Sequence, residues 1–182
     1  DMIMEPGWDG LTTYQEILKV NPRQKAVIAS GFSETRRVRR ALKLGAGAYL
    51  KKPYTLTDLG QTLRRVLAPG GFLLFTTFGP DTLTELRSSW GAVDGYTHVN
   101  SFIDMHDVGD ALLRTRWAEP VMDSERLTVT YRELRTLMQD LKHIGAHNVT
   151  AGRPRGLTGR RRMLQLAEAY EAFRSDGVLP AS

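Results

Sequence analysis

The chain has 182 residues, 41% of them hydrophobic and 25% charged, which suits one globular domain or two small ones. It has no cysteine, no apolar run near the roughly 20 residues of a membrane span and no basic-then-apolar leader before Asp1, so disulfide frameworks, thiolate metal sites and membrane insertion are excluded and a cytoplasmic protein is expected. Net charge is +5, with 12 Lys/Arg against 6 Asp/Glu in residues 1–67; lacking a helix-turn-helix or zinc pattern, this surplus reads as solvated arginine-rich helix faces, not a nucleic-acid interface.

Asp1–Gly10 reads as a loop with Pro and Gly turn formers. A helix is predicted over about Leu11–Val20, with Leu11, Tyr14, Ile17 and Leu18 at helical spacing, stopped by Asn21-Pro22. Lys25–Ser30 reads as a short buried strand, and Ser33 as the N-cap of a second helix on which Val38, Ala41 and Leu42 share a face. Gly45 ends that helix, Gly47–Lys51 is a second strand, and Thr55–Leu67 is a third helix. Strands alternating with helices argue for parallel βα units that present chemistry at the strand C-termini. There a carboxylate (Asp1), a hydroxyl (Ser30) and an ammonium (Lys52) would converge, an aspartyl-phosphate constellation that works with Mg²⁺.

The first part resembles the response-regulator receiver domains of hybrid sensor kinases. The resemblance rests on Asp1 with Met4 and Asp9-Gly10, on Ala29-Ser30-Gly31, on Gly45–Tyr49, and on Lys52-Pro53-Tyr54. It implies Asp1 as phosphoacceptor, Ser30 and Tyr49 as the switch pair, Lys52 as the phosphate-sensing lysine, and Mg²⁺ held by Asp1 and the Ile3 carbonyl. A sensor kinase is the implied partner.

A helix end at Leu63–Ala68, a Pro69-Gly70-Gly71 stop and the apolar run Phe72–Phe78 form the seam between two segments, 1–67 and 68–182. Phe72–Phe78 reads as a strand buried on both faces. Asp81 is the expected cap of a helix running to about Trp90. Gly91–Phe102 shows little periodicity; Asp104–Thr115 is helical; Pro120–Asp123 and Arg126–Tyr131 read as strand; helices are predicted over about Arg132–Ile144 and Arg160–Arg174. Between the last two lies a glycine- and arginine-rich loop, Ala151–Gly159. His143 and His147 stand four apart, without an evident third metal ligand.

This second part resembles malonyl-acyl carrier protein O-methyltransferase of biotin synthesis. The resemblance rests on Pro69–Leu83, Val99–Asp107, Gly145–Asn148 and Gly156–Arg161. It implies a Rossmann-like fold, S-adenosylmethionine as cofactor and acyl carrier protein as partner. A carboxylate is already a nucleophile, so positioning dominates such a reaction. Arginine is the natural clamp for a malonyl carboxylate and for an acidic carrier. Arg153, Arg155, Arg160 and Arg161, with Arg162 beside them, form an acid-free cluster that is the candidate substrate or carrier site.

The expected fold is α/β, a three-layer, mostly parallel sheet of about four or five strands flanked by helices, with a receiver- or flavodoxin-like part joined to a Rossmann-like methyltransferase part. Neither the acidic pair that completes a receiver's Mg²⁺ site nor a strand-glycine-helix loop for S-adenosylmethionine has a counterpart. The chain alone is therefore expected to be an incomplete, inactive methyltransferase fused to a truncated receiver segment. The alternatives are a phosphorelay protein phosphorylated on Asp1, and an artificial or truncated chimera.

Overall fold

The computed structural model describes residues 9–31 and 35–182. Element order is α1 (Gly10–Val20), β1 (Val27–Ser30), α2 (Arg36–Lys43), β2 (Ala48–Lys51), α3 (Leu56–Val66), α4 (Thr84–Gly91), α5 (Met105–Arg114), β3 (Val129–Tyr131), α6 (Leu134–His143), α7 (Arg160–Glu171) and β4 (Leu179–Ala181). The chain forms two compact units, one containing the elements up to α3 together with His106–Met122, the other Thr76–Met105 with Asp123–Ser182.

In the first unit β1 and β2 run parallel, with Val27 opposite Ala48 and Ser30 opposite Lys51. Asp9 caps α1 by accepting from the Thr12 N–H at 2.8 Å, and Thr35 caps α2 by accepting from the Val38 N–H. Ser33, the expected cap, lies outside the described residues. Thr55 caps α3 in a reciprocal box with Asp58, satisfying two otherwise orphaned amides. Gly45, at φ +110°, closes α2 in a conformation that favours glycine. The core holds Tyr14, Ile28, Val38, Ala41 and Ala46, and the Tyr14 hydroxyl donates to the Gln24 carbonyl at 2.9 Å. Gly60 on α3 lets α5 approach, since a Cβ there would lie 2.8 Å from Thr115 Oγ1. Trp117 Nε1 donates to the Gly60 carbonyl at 3.2 Å.

In the second unit β3 and β4 pair antiparallel, with Tyr131 opposite Leu179. Leu86, Trp90, Leu134, Leu137, Leu166, Tyr170 and Leu179 are buried in one core, drawing on α4, α6, α7 and β4. The Tyr170 hydroxyl donates to the Pro180 carbonyl at 2.8 Å. Burial first, then the Glu85 and Tyr131 charges, push the Tyr170 pKa far up.

Four expectations need correction. The described residues hold two separate two-stranded sheets, not one sheet of four or five strands. Phe72–Phe78 is extended but pairs with nothing described, and Phe72 and Leu74 are more than four-fifths exposed. Its strand propensity stands, but a strand needs a ladder partner. Asp81 does not cap α4. Instead Leu83 takes the left-handed conformation (φ 56°) at the cap position, the Asp81 carbonyl accepts from Thr84 N, and the Asp81 side chain pairs with Arg126 at 2.8 Å. Of the strands expected at 120–123 and 126–131, only Val129–Tyr131 forms a ladder, and its partner, β4, is a three-residue element with proline at its centre.

Candidate functional site

The arginine cluster sits where two loops of the second unit are laced together. The Thr97 N–H donates to the Gly152 carbonyl at 3.0 Å, and the Asn148 side-chain amide donates to the Thr97 carbonyl. Asn100 reaches across in both senses, donating to the His147 carbonyl at 2.9 Å and accepting from the Val149 N–H at 2.9 Å. Loop backbone groups lack a helix or strand ladder, and here two asparagine side chains serve some of them. A Cβ on Gly152 would stand 2.9 Å from Thr97 Oγ1, so this close approach also depends on glycine.

The lattice carries the arginines unequally. Arg153 turns back on its own loop, donating to the Val149 and Thr150 carbonyls at 3.3 and 3.2 Å. Arg155, Arg160 and Arg161 are exposed and make no ion pair or side-chain hydrogen bond among the described residues. Arg160, Arg161 and Arg162 occupy the first turn of α7, whose cap position, Gly159, offers no side chain and whose first turn has no acid. Cations at a helix N-terminus oppose the macrodipole, an arrangement that an incoming anion relieves.

Arg162 is different. Its Nε lies 3.6 Å from Asp94 Oδ2, and its guanidinium carbon stands 5.7 Å from the centre of the Tyr96 ring. Asp94 Oδ1 accepts from Tyr96 N at 3.0 Å and lies 2.8 Å from His98 Nε2. The His98 ring stacks on Trp90 with 3.6 Å between centroids and 5° between planes. Burial pushes the Asp94 carboxyl up, but the Tyr96 N–H, His98 and Arg162 together outweigh it and hold it below the usual carboxylate range.

Sequence reasoning named the arginines and missed their supports. Trp90, Asp94 and His98 do recur at a spacing of four, a signal that was available although α4 stops at Gly91. His143 and His147 do not share a helix, because α6 ends at His143 and Gly145 (φ +72°) turns the chain away. No cluster of three metal-type side chains occurs among the described residues.

The phosphate-type constellation divides. Ser30 is buried at the end of β1, Tyr49 lies within β2 opposite Ile28, and the Lys52 N–H donates to the Ser30 carbonyl at 2.8 Å. Ser30 and Lys52 therefore stand at one strand edge. Asp1 and Ile3, the expected phosphoacceptor and Mg²⁺ ligand, lie outside the described residues. A shallow cleft of about 310 Å³ between β2 and α3, lined by Lys51, Tyr54, Asp58 and Arg65, includes none of the expected site residues.

The described residues do not fit an S-adenosylmethionine cradle. None of their strands leads through a glycine-rich turn into a helix: β1 is followed by Gly31 and β2 by Lys52-Pro53, while Gly45–Gly47 enters a strand and Gly47 is backed by Val66. No described helix is long and apolar enough to cross a membrane.

No family model matches the chain. Over its C-terminal part it is similar to curated malonyl-[acyl-carrier protein] O-methyltransferases. It is 58% identical over 118 residues to that of Laribacter hongkongensis, a match covering 65% of this chain and 40% of the relative. The corresponding figures are 55% over 120 residues, 66% and 41% for Gallionella capsiferriformans. For the Coxiella burnetii enzyme they are 50% over 130 residues, 69% and 45%. The matched segment thus spans about 40% of the length of the first two relatives. The resemblance of residues 1–67 to a receiver draws no support from these relatives.

Proposed function

We propose that the C-terminal part of this chain is the carrier-binding portion of a malonyl-acyl carrier protein O-methyltransferase of biotin synthesis. The observation that carries this reading is the arginine surface. Arg155, Arg160 and Arg161 stand exposed and uncompensated on a loop and helix start that Asn100 and Asn148 anchor. They lie in the part of the chain similar to enzymes whose name specifies a malonyl carrier protein. Guanidinium groups with unused donors suit an acidic carrier surface and the malonyl carboxylate. S-adenosylmethionine is the methyl donor such an enzyme uses. Because the described residues do not form its cradle, no step of the transfer is assigned to them; their part is to hold the carrier.

Isothermal titration of the full chain with malonyl-loaded acyl carrier protein tests this. Binding is expected, weakening as salt rises from about 50 to about 300 mM. It is also expected to drop at least about tenfold in the triple variant Arg155→Glu/Arg160→Glu/Arg161→Glu. Unchanged affinity in that variant would overturn the reading.

One observation favours a second reading for the first unit. The parallel β1–β2 pair sets Ser30 and Lys52 at a common strand edge, as a phosphorelay receiver requires. On that reading a sensor kinase phosphorylates Asp1 with Mg²⁺. Incubation with a small phosphodonor and Mg²⁺ should then label the chain but not its Asp1→Asn variant; equal labelling of both refutes it.

A further inference from the structure

We propose that Arg162 is the arginine that grips a carboxylate, and that Asp94 and Tyr96 are its positioning residues. The inference rests on the carrier-protein reading above and singles out one residue within it.

Asp94 is fixed at one oxygen and open at the other. Tyr96 N and His98 Nε2 hold Oδ1, and the Trp90 stack holds His98. Oδ2 is buried with no hydrogen-bond partner, and the nearest cation is Arg162 Nε at 3.6 Å. A buried carboxylate oxygen in that state attracts a donor strongly, because burial has removed its water. Asp94 cannot swing to find another donor without abandoning two bonds. It therefore draws the Nε edge of Arg162 toward it, at a separation just beyond a hydrogen bond.

The Tyr96 ring lies against the guanidinium from a second direction. Two contacts, an ion pair and a cation–π approach, restrain the group. Its terminal Nη1 and Nη2 amino groups remain, with no hydrogen bond or ion pair among the described residues, on a side chain that is 42% exposed. Those two nitrogens form the end-on fork that matches both oxygens of a carboxylate. Arg155, Arg160 and Arg161 carry the same charge with no such restraint, so each would lose its rotamer freedom on binding. They attract an anion from a distance; Arg162 is preorganised to orient it. A carboxylate could come from the malonyl group or from an Asp or Glu side chain of the carrier.

Titration of the full chain with unloaded carrier protein, malonyl-loaded carrier and malonyl-pantetheine separates these sources. Arg162→Ala is expected to weaken binding about tenfold or more, and Arg162→Lys, which keeps charge without the fork, to recover only part of it. A loss equal for unloaded and loaded carrier assigns the carboxylate to the carrier; a loss confined to the two malonyl species assigns it to malonyl. Asp94→Asn should weaken binding severalfold in the parent and add little to Arg162→Ala, the non-additivity expected of a residue acting through another. Tyr96→Phe should bind as the parent does, and Tyr96→Ala should lose affinity. Arg162 and Tyr96 are partly exposed, so their variants keep the test open if Asp94→Asn fails to fold, with circular dichroism reporting an intact fold. Parent affinity in Arg162→Ala, alongside a loss in the Arg155/Arg160/Arg161 triple variant, overturns this inference and leaves the carrier reading standing. Fully additive effects of Asp94→Asn and Arg162→Ala overturn the positioning role. Failure of the parent chain to bind any carrier removes both.

Discussion

Gly152→Ala is the most economical perturbation of the arginine-bearing loop, and its size can be worked out. The new methyl would lie 2.9 Å from Thr97 Oγ1 and 3.5 Å from Thr97 Cβ, while the Gly152 carbonyl accepts from Thr97 N at 3.0 Å. Either Thr97 changes rotamer or the loops part by a few tenths of an ångström and stretch that bond. Weakening one such bond costs about 0.5–1.5 kcal/mol, and crowding adds on the order of 1 kcal/mol. Against this, replacing glycine restricts the unfolded chain and returns about 0.4–1 kcal/mol. The net expectation is a loss of about 1 kcal/mol, or roughly 4–8 °C in a unit of this size. Hydrogen exchange at the Thr97 amide should speed up by about the factor of five that such a loss implies. If the proposed carrier reading holds, carrier binding should fall in parallel, since Arg153 and Arg155 ride on the displaced loop. Thr97→Ala removes the atom that clashes, so the double variant should recover protection. If Gly152→Ala melts with the parent and protects Thr97 equally, or if Thr97→Ala gives no rescue, the lattice does not hold the loop.

Leu166, fully buried in the second core, should lose about 2–5 kcal/mol on truncation to Ala, read by urea unfolding. Gly60→Ala should lose about 1–2 kcal/mol in the first unit despite its better helix propensity, because Thr115 Oγ1, 2.8 Å from the new Cβ, is already bonded to the Ala111 carbonyl; Gly60→Ala/Thr115→Ala should recover part of it. At Asp94 and at Glu85, burial raises the pKa and is outweighed, at Glu85 chiefly by the Ser182 N–H, so both carboxyls stay below their ordinary values. Folded, they bind fewer protons than unfolded, so their stabilisation is complete above about pH 5 and is lost as pH falls through and below about 4. Urea midpoints between pH 3 and 7 should show this slope, shallower in Glu85→Gln. Phe72→Ser/Leu74→Ser should leave the unfolding free energy from urea titration within about 0.5 kcal/mol of the parent and reduce light scattering, because these exposed side chains add aggregation risk and little packing.

What could be read in advance was what short-range chemistry decides. Tyr14, Val38 and Ala41 at helical spacing, Gly45 as a stop and Thr55 as a start all stand where expected, because each depends on residues within a turn. The β1–β2 pair was legible for a related reason, since a helix between two short apolar runs leaves little choice but a parallel crossover. Phe72–Phe78 failed because pairing is not local: seven strand-forming residues say nothing about whether a partner lies beside them. Leu179–Ala181 failed conversely, three residues around a proline being too little signal for a strand that β3 nonetheless pairs. At the candidate site the arginines were visible from charge alone. Tyr96, Asn100 and Asn148 were hidden because their contacts join segments 47 to 66 residues apart, where no periodicity applies.

The start of α7 shows why stability alone does not account for this surface. A helix optimised for its own sake would carry acids in its first turn and a Ser, Thr, Asp or Asn cap. Here three arginines follow a glycine, each set against the positive end of the macrodipole by a few tenths of a kcal/mol or more. One of the three is offset by Asp94, from a loop more than sixty residues earlier, at a separation just beyond a hydrogen bond. The other two have no described counter-charge, and Arg155 adds a third uncompensated cation on the same loop. An acidic partner would supply the missing charge, so the helix start should be more stable bound than free. Thermal unfolding of the chain with and without carrier protein measures this directly: the melting temperature should rise with carrier concentration at low salt, and the rise should vanish in Arg160→Glu/Arg161→Glu.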